Sequence, residues 1–275
     1  MSILLKYLPV LLMLTGIHTV YAQADTSFVH IPAGEYMLGS KASILNPARK
    51  VRTAGYYMAA TELTNAAFDK FVQATGYITE AEKRKNALVF EPGLEEFRWK
   101  EDSTAYWRYP NGVSHGGIED KMNHPVTTIS YRDAMAYCQW AHVRLPTLDE
   151  WEIASRAGAS SLYSWGNNRD SIGRYANIWH GRNHLVADTS DGYMYTSPVA
   201  SFRPNAWGLY DMYGNLFEFC EGRLPTDKKE SRMVHARGGS WWCSKNSCNY
   251  FNSVDIGRVN PVASFSNQGF RVVKP

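Results

Sequence analysis

Long segments without helical or strand periodicity are the feature that most constrains the fold of this 275-residue chain. Most of residues 77–125 and 159–240 is rich in Gly, Asn, Asp, Ser and Trp, and its apolar residues follow neither spacing. Loops longer than roughly 15 residues are uncommon unless they are functional or anchored by something such as an ion. We therefore expect one irregular domain whose loops are held by aromatic packing and metal ions.

The composition is that of a folded globular protein, because 44% of the residues are hydrophobic and can offset the entropy of the chain. The net charge is only +3, and the basic residues do not gather into a stripe, so nucleic acid is not an expected partner. The aromatic residues recur at no fixed period, which argues against a propeller or a solenoid.

The first residues have the pattern of a secretory signal. Lys6 precedes an apolar run over residues 7–14, and residues 20–22 place small side chains before a cleavage point after Ala22. Residues 15–22 are too polar to extend the run to the roughly 20 apolar residues of a membrane span. The sequence predicts a signal peptide over residues 1–22, a folded domain over 26–275, and a periplasmic or secreted monomer without a membrane span.

Three segments have the spacing and the caps of helices. Thr64 or Asn65 caps the first, which Gly76 ends, Ser130 caps the second, and Thr147 opens the third with a capping box. Four short apolar runs are predicted to be strands: 28–31, 126–129, 199–202 and 270–273.

Two of the four cysteines lie close together in the sequence. Cys138 is on the inward face of the second predicted helix, and Cys220 has no obvious partner, so both are interpreted as structural or free thiols. Cys243 and Cys248 are separated by four residues, and they could form a disulfide or bind one soft metal ion, of which Cu(I) suits a thiolate pair best. From spacing alone, in an exported protein, the disulfide is favoured.

The cysteine pair stands within a series of short phrases in a fixed order. They are IPAGEYMLG at 31–39, TELTN at 61–65, HPV at 124–126, AYCQWA at 136–141, RLPT at 144–147, ANIW at 176–179, GLYDMYGN at 208–215, GGS at 238–240 and GFR at 269–271. This order closely resembles the formylglycine-generating enzyme (sulfatase-modifying factor) family over nearly all of residues 26–273. The resemblance implies an α+β fold, distantly like that of C-type lectins, with little regular secondary structure and calcium-stabilised loops.

The resemblance also implies a copper-dependent oxidase. In the family, the cysteines that match Cys243 and Cys248 bind Cu(I) and, with O2 as co-substrate, oxidise a cysteine of a client sulfatase to Cα-formylglycine. Ser240 matches a serine that lines the oxygen pocket. Phe217 stands where the family has a tryptophan, which keeps an aromatic ring but removes the indole N–H donor. These four residues are the predicted catalytic set.

Two structural calcium sites follow from the same resemblance. The first would use the side chains of Asn177 and Asp191 with the carbonyls of Ile178 and Tyr193. The second would use the side chains of Asp211 and Glu218 with the carbonyls of Gly214 and Leu216, assisted by Glu62. Carboxylates mixed with backbone carbonyls are the ligands that Ca2+ prefers. The histidines do not gather, and His180 and His184 are assigned a solvated or packing role.

Two departures from the family pattern affect the client. Residues 249–256 lack the basic residues that the sulfatase-activating members carry there, and Lys85-Asn86-Ala87 replaces the segment with an aspartate that meets the client's arginine. Loss of the acidic partner should weaken recognition of a peptide that bears arginine. Two alternatives therefore stay open: a non-catalytic binding module whose cysteine pair is a disulfide, and an oxidase of a different peptide or of a small molecule.

Overall fold

The computed structural model describes residues 27–186, 188–224, 227–228, 231–248 and 250–274. The signal peptide predicted over residues 1–22 lies outside these ranges. In the part of the chain that is described, no helix is both long enough and apolar enough to cross a membrane.

Each of the three predicted helices is present and begins after the predicted cap. Thr64, Ser130 and Thr147 each accept a hydrogen bond from a backbone N–H of the first turn, and at Ser130 and Thr147 an acidic side chain completes a capping box. A fourth, short helix after Thr79 was not predicted. The helices are α1 (Asn65–Thr75), α2 (Glu80–Arg84), α3 (Tyr131–Ala141) and α4 (Leu148–Arg156), with 3₁₀ turns at Val113–His115 and Arg169–Arg174.

The strands of the described residues are short and are divided among four small sheets. They are β1 (Phe28–Ile31), β2 (Gly34–Leu38), β3 (Arg49–Thr53), β4 (Tyr56–Ala59), β5 (Ala87–Val89), β6 (Lys100–Asp102), β7 (Phe217–Cys220), β8 (Val234–Arg237), β9 (Gly257–Val259), β10 (Gln268–Gly269) and β11 (Val273–Lys274). One sheet has the order β1-β4-β11 and a second has the order β10-β7-β8-β9, while β2-β3 and β5-β6 are separate antiparallel pairs.

Two strand predictions were wrong. Residues 126–129 and 199–202 form turns and irregular backbone, because Thr128 and Ala200 have positive φ angles of 56° and 61°, which a strand excludes. The predicted strand 28–31 is confirmed as β1. Of the predicted run 270–273, only the last residue belongs to a strand, which is β11.

Aromatic side chains connect the helices and the loops. Phe68 and Phe71 of α1 pack edge-on to each other at 5.4 Å between ring centroids, and Phe71 meets Tyr137 of α3 at 5.6 Å. A separate cluster is built almost entirely from irregular segments, and it contains the buried side chains of Phe90, Trp179, Leu216, Trp241 and Trp242. This second cluster packs the long irregular segments against the residues that precede Cys243, as the aromatic content of these segments predicts.

Candidate active site at the cysteine loop

The cysteine loop, residues 243–248, follows directly from the β10-β7-β8-β9 sheet. Strand β8 ends at Arg237, and two glycines with positive φ angles turn the chain toward the loop. Gly239 has a steric reason to lack a side chain, because a Cβ there would lie 2.7 Å from the backbone nitrogen of Phe251. The same sheet carries Phe217 on β7 and Gln268 on β10, so three chain segments meet beside the loop.

Cys243 and Cys248 are joined as a disulfide, with their Cα atoms 4.7 Å apart. Cys243 is fully buried, whereas Cys248 is half-buried and has a positive φ of 48°. The N–H of Cys243 donates to the carbonyl of Ser240 at 2.9 Å, and its own carbonyl accepts from the N–H of Trp179 at 2.9 Å. Only Cys248 therefore faces a surface that another molecule could reach.

That surface is a groove of about 220 Å³ lined by Cys248. Half of its lining residues are aromatic: Phe97, Trp99, Phe217, Trp242, Tyr250 and Phe265. Arg258 is the one charged residue among its lining residues, and it pairs with Asp227 at 3.2 Å. The described part of the groove thus presents rings, neutral groups and one arginine that pairs with Asp227.

Polar atoms in the groove have unused hydrogen-bonding capacity. Among the described residues, Asn267 Oδ1, Gln268 Oε1 and Trp242 Nε1 are buried and lack a partner. One buried donor and two buried acceptors are costly to leave unpaired, and a peptide backbone has the complementary groups if a side-chain rotation brings these atoms to the groove. Sequence reasoning missed Asn267 and Gln268, although they directly precede the GFR phrase at 269–271.

The two remaining residues of the predicted catalytic set also lie here. Ser240 is buried, and its hydroxyl accepts hydrogen bonds from Asn267 Nδ2 at 3.0 Å and from the N–H of Trp242 at 3.3 Å. Phe217 is half-buried in the groove wall and packs against Tyr250 at 5.8 Å. The structure therefore brings Ser240, Phe217, Cys243 and Cys248 to one place, and their catalytic roles remain predictions.

The side chains of the second predicted calcium site meet in the interior around Arg271. Glu218 accepts two hydrogen bonds of 2.6 Å from the Arg271 guanidinium and one of 2.7 Å from Trp151. Glu62 Oε1 and Asp211 Oδ1 are buried beside this pair without a hydrogen-bond partner among the described residues. Burial raises the pKa of Asp211 to about 6, and burial together with the neighbouring carboxylates raises the pKa of Glu62.

Two buried carboxylate oxygens without a partner fit a hard cation, since Ca2+ would supply positive charge beside them. Glu218 fits less well, because Arg271 and Trp151 already occupy both of its oxygens.

The first predicted calcium site is adjacent. Asn177 is buried, and its side-chain amide donates to the carbonyl of Tyr195 at 2.8 Å and to Asn215 Oδ1 at 3.1 Å. One oxygen of Asp191 accepts from the N–H of Tyr193 at 3.0 Å, and the other lies 3.2 Å from His180 Nε2. His180 therefore occupies the position beside Asp191 at which a bound cation would lie. Hydrogen bonding to Asp191 raises the pKa of this histidine.

No cluster of three or more His, Cys, Asp or Glu side chains suited to a metal ion occurs within the described ranges. A site made of two thiolates, or of carboxylates with backbone carbonyls, is not such a cluster. The other two cysteines are free and buried, in agreement with their predicted structural role. Burial raises the pKa of Cys138 to about 12, so its thiol stays protonated.

Comparison with known proteins identifies the fold and the family. Residues 17–275 match the family described as Sulfatase-modifying factor enzyme 1-like domain. The chain is 37% identical to the formylglycine-generating enzyme of Mus musculus, over 90% of this chain and 75% of the relative. It is also 34% identical to the inactive C-alpha-formylglycine-generating enzyme 2 of the same organism, over 90% of this chain and 85% of the relative.

Among solved structures, PvdO from Pseudomonas aeruginosa superimposes with a TM-score of 0.65 at 23% identity, covering 90% of this chain and 93% of the other. That likeness confirms the predicted α+β fold. Together with the sequence matches over most of the chain, it leads to one conclusion: this protein belongs to the family of sulfatase-modifying factor enzyme 1-like domains, the formylglycine-generating enzyme family.

Proposed function

We propose that this protein oxidises a cysteine of a client protein to Cα-formylglycine, with O2 as oxidant and Cu(I) held by reduced Cys243 and Cys248. The observation that carries the proposal is the position of this pair. In a chain of the formylglycine-generating family, Cys248 lines a groove rich in aromatic side chains, and the buried Cys243 is bonded to it.

The overall reaction can be balanced without reference to the site. A thiol R–CH2–SH, O2, two electrons and two protons give the aldehyde R–CHO, H2S and water. The carbon is oxidised and both oxygen atoms are reduced, so an external two-electron donor such as a thiol is needed in addition to O2. Copper, when bound by the two thiolates, would supply the one-electron and O2 chemistry that amino-acid side chains lack.

The residues of the chain would bind and orient the client. Cys248 is the half-buried member of the pair and faces the groove, so the target thiol would approach from that side. The oxygens of Asn267 and Gln268 are buried without a partner beside the groove, and rotation of these side chains would let them accept from client backbone N–H groups. Ser240 is held by Asn267 and would keep its hydroxyl against the buried side of the pair.

Calcium is proposed as a structural cofactor. Glu62 and Asp211 each leave one buried carboxylate oxygen unpaired, and burial raises the pKa of both side chains. A divalent ion would supply positive charge beside them and fix the segment 211–218, which leads into β7. The first site would use Asn177 and Asp191, if the ion displaces His180 from Asp191.

The decisive experiment follows the client cysteine by mass spectrometry. A cysteine peptide is incubated in air with the reduced, copper-loaded protein and a thiol reductant, and conversion to the aldehyde is confirmed by hydrazide labelling. The Cys243→Ser variant should form no aldehyde, whereas Cys138→Ala, a change in a buried cysteine on α3, should leave the yield unchanged. Unchanged activity in Cys243→Ser would refute the proposal.

A second candidate is a non-catalytic module of the same fold. It is favoured by the disulfide between Cys243 and Cys248 and by the similarity to a relative described as inactive. Thiol titration of the native protein distinguishes the two functions. A bridge that resists millimolar glutathione, with no copper uptake after forced reduction, would favour the module.

The client is proposed to differ from an arginine-bearing peptide. The groove beside Cys248 is walled by aromatic rings and contains no carboxylate among its described lining residues, and Asn86 lies where the resemblance implies an acidic partner. A pair of cysteine peptides that differ only by leucine in place of arginine tests this. We expect faster conversion of the leucine peptide, by an exported enzyme that meets its client outside the cytoplasm.

A further inference from the structure

A buried histidine outside the predicted catalytic set contacts the cysteine loop. His184 has no exposed side-chain surface, and its ring stacks on Trp242 at 4.0 Å with an interplanar angle of 11°. Its Nδ1 lies 2.7 Å from Glu96 Oε1, and its Nε2 lies 2.6 Å from the carbonyl oxygen of Trp242. Trp242 is the residue immediately before Cys243.

The partners of the ring determine its hydrogen bonds. A backbone carbonyl can only accept, so Nε2 donates to the carbonyl of Trp242. Burial acts to raise the pKa of Glu96, but hydrogen bonds from His184 and Ser247 outweigh it and lower the pKa overall, so Glu96 is a carboxylate. Nδ1 lies at hydrogen-bonding distance from that carboxylate, and the ring therefore bridges Glu96 and the backbone of Trp242.

The same carboxylate reaches the other end of the loop. Glu96 Oε2 accepts a hydrogen bond of 2.8 Å from the hydroxyl of Ser247, the residue immediately before Cys248. The backbone supports this arrangement, because the carbonyl of His184 accepts from the N–H of Gly93 at 3.2 Å. The contact between His184 and Glu96 thus connects the residue before each cysteine.

We propose that His184 and Glu96 are positioning residues that act as one clamp, fixing both ends of the cysteine loop and holding the two sulfur atoms close enough to bond to each other or to one ligand. The proposal deepens the proposed function, because a site made from two thiols works only if their separation is held. Two flexible thiols in a surface loop would lose that proximity.

The clamp predicts a specific chemical property. Holding the sulfur atoms together raises their effective concentration toward each other, so the equilibrium between the disulfide and the dithiol should depend on His184 and Glu96. A histidine that only filled space would affect stability, and its effect on this equilibrium would be independent of Glu96.

The experiment measures the equilibrium constant for disulfide formation in glutathione buffers at pH 7. Samples are acid-quenched and alkylated after unfolding, and their intact mass gives the oxidised fraction. In Glu96→Ala and in His184→Ala, the constant should fall on the order of tenfold, because each change removes charge-assisted hydrogen bonds to the loop. Ser247→Ala should lower it less, since one hydrogen bond is lost.

The double variant separates a clamp from independent packing. Glu96→Ala with His184→Ala removes both partners of the contact at once, so neither is left without the other. If the two side chains act as a unit, the equilibrium constant of the double variant should be no lower than that of the more strongly affected single variant. Glu96→Gln preserves the shape of a partly exposed side chain. It therefore replaces Glu96→Ala in the experiment if the alanine variant fails to fold.

Matched controls are available in the chain. Glu95→Ala changes the neighbouring, exposed glutamate, and His30→Ala changes an exposed histidine on β1. Both should leave the constant unchanged. The clamp is refuted if His184→Ala and Glu96→Gln also leave it within twofold of the parent value, or if the two single effects multiply in the double variant.

The outcome is independent of the proposed function. The measurement uses glutathione alone, without client or copper, so an unchanged constant overturns the clamp and leaves the oxidase proposal standing. Aldehyde formation by Cys243→Ser would overturn the oxidase and leave the clamp untouched.

Discussion

Replacing Glu218 with glutamine should destabilise the protein through the arginine that it leaves behind. Glu218 and Arg271 are both inaccessible to solvent, and their two hydrogen bonds are 2.6 Å long. In Glu218→Gln, one of the two oxygens becomes an NH2 group that points at N–H donors of Arg271 or Trp151. Burying a donor against a donor leaves both without a partner.

The magnitude follows from what remains around the guanidinium. Breaking a buried ion pair by removing one partner typically costs about 3–5 kcal/mol. Arg271 would still donate to the carbonyl of Tyr210, and Glu62 and Asp211 could ionise to supply negative charge. We therefore expect about 3 kcal/mol for Glu218→Gln, at the lower end of that range.

Arg271→Gln should cost more. It leaves three buried carboxylates without a cation, and at most one of them could stay ionised. The double variant Glu218→Gln with Arg271→Gln should cost less than the sum of the single changes, by about 1–3 kcal/mol, because it no longer buries an unpaired charge.

Urea unfolding followed by tryptophan fluorescence measures these differences, since Trp151 contacts Glu218 directly. Glu35→Gln is the matched control, because Glu35 pairs with Lys50 on an exposed surface and should cost at most about 0.5 kcal/mol. A cost below about 1 kcal/mol for Glu218→Gln, or exact additivity in the double variant, would refute the reasoning.

Three further predictions concern other parts of the chain. Burial raises the pKa of Asp211 to about 6 in the folded state, so protonation of this side chain stabilises the protein below pH 4. This stabilisation is lost as the pH rises through 6, which lowers the free energy of unfolding by about 3 kcal/mol. Urea midpoints from pH 4 to 8 should show this loss without calcium, and Asp211→Asn or added Ca2+ should diminish it; equal slopes in both proteins would contradict it. Thr147→Ala should lower the free energy of unfolding by about 1 kcal/mol, because it removes the cap of α4; no change in the urea midpoint would contradict this. Cys138 and Cys220 should react with a thiol reagent only after unfolding, since both are buried and protonated; reaction in the native state would count against it.

Local chemistry made part of the fold predictable. Thr64, Ser130 and Thr147 marked the helix starts correctly, because a capping side chain bonds to a backbone N–H only a few residues away. The strand prediction at 126–129 failed, because the positive φ of Thr128 comes from its tertiary contacts, among them a hydrogen bond of 2.8 Å from its hydroxyl to the carbonyl of Pro110.

The candidate site was likewise predictable from the sequence only in part. The residues of the cysteine pair were identified from an ordered series of phrases, and they are adjacent because only four residues separate them. His184 was assigned a solvated or packing role, since no local pattern indicates that it meets Glu96, which is 88 positions away. The unpaired oxygens of Asn267 and Gln268 are equally invisible in the sequence, because an atom lacks a partner only in a particular tertiary arrangement.

The sequence was sufficient to identify the family, the starts of three helices and the candidate cysteine pair, because these depend on neighbouring residues or on the order of short phrases. Only the tertiary structure decided which cysteine faces the groove, which carboxylates share the interior with Arg271, and which histidine holds the loop. The physical reason is that burial, charge pairing and unmet hydrogen bonds arise between residues far apart in the chain, and spacing along the sequence carries no information about them.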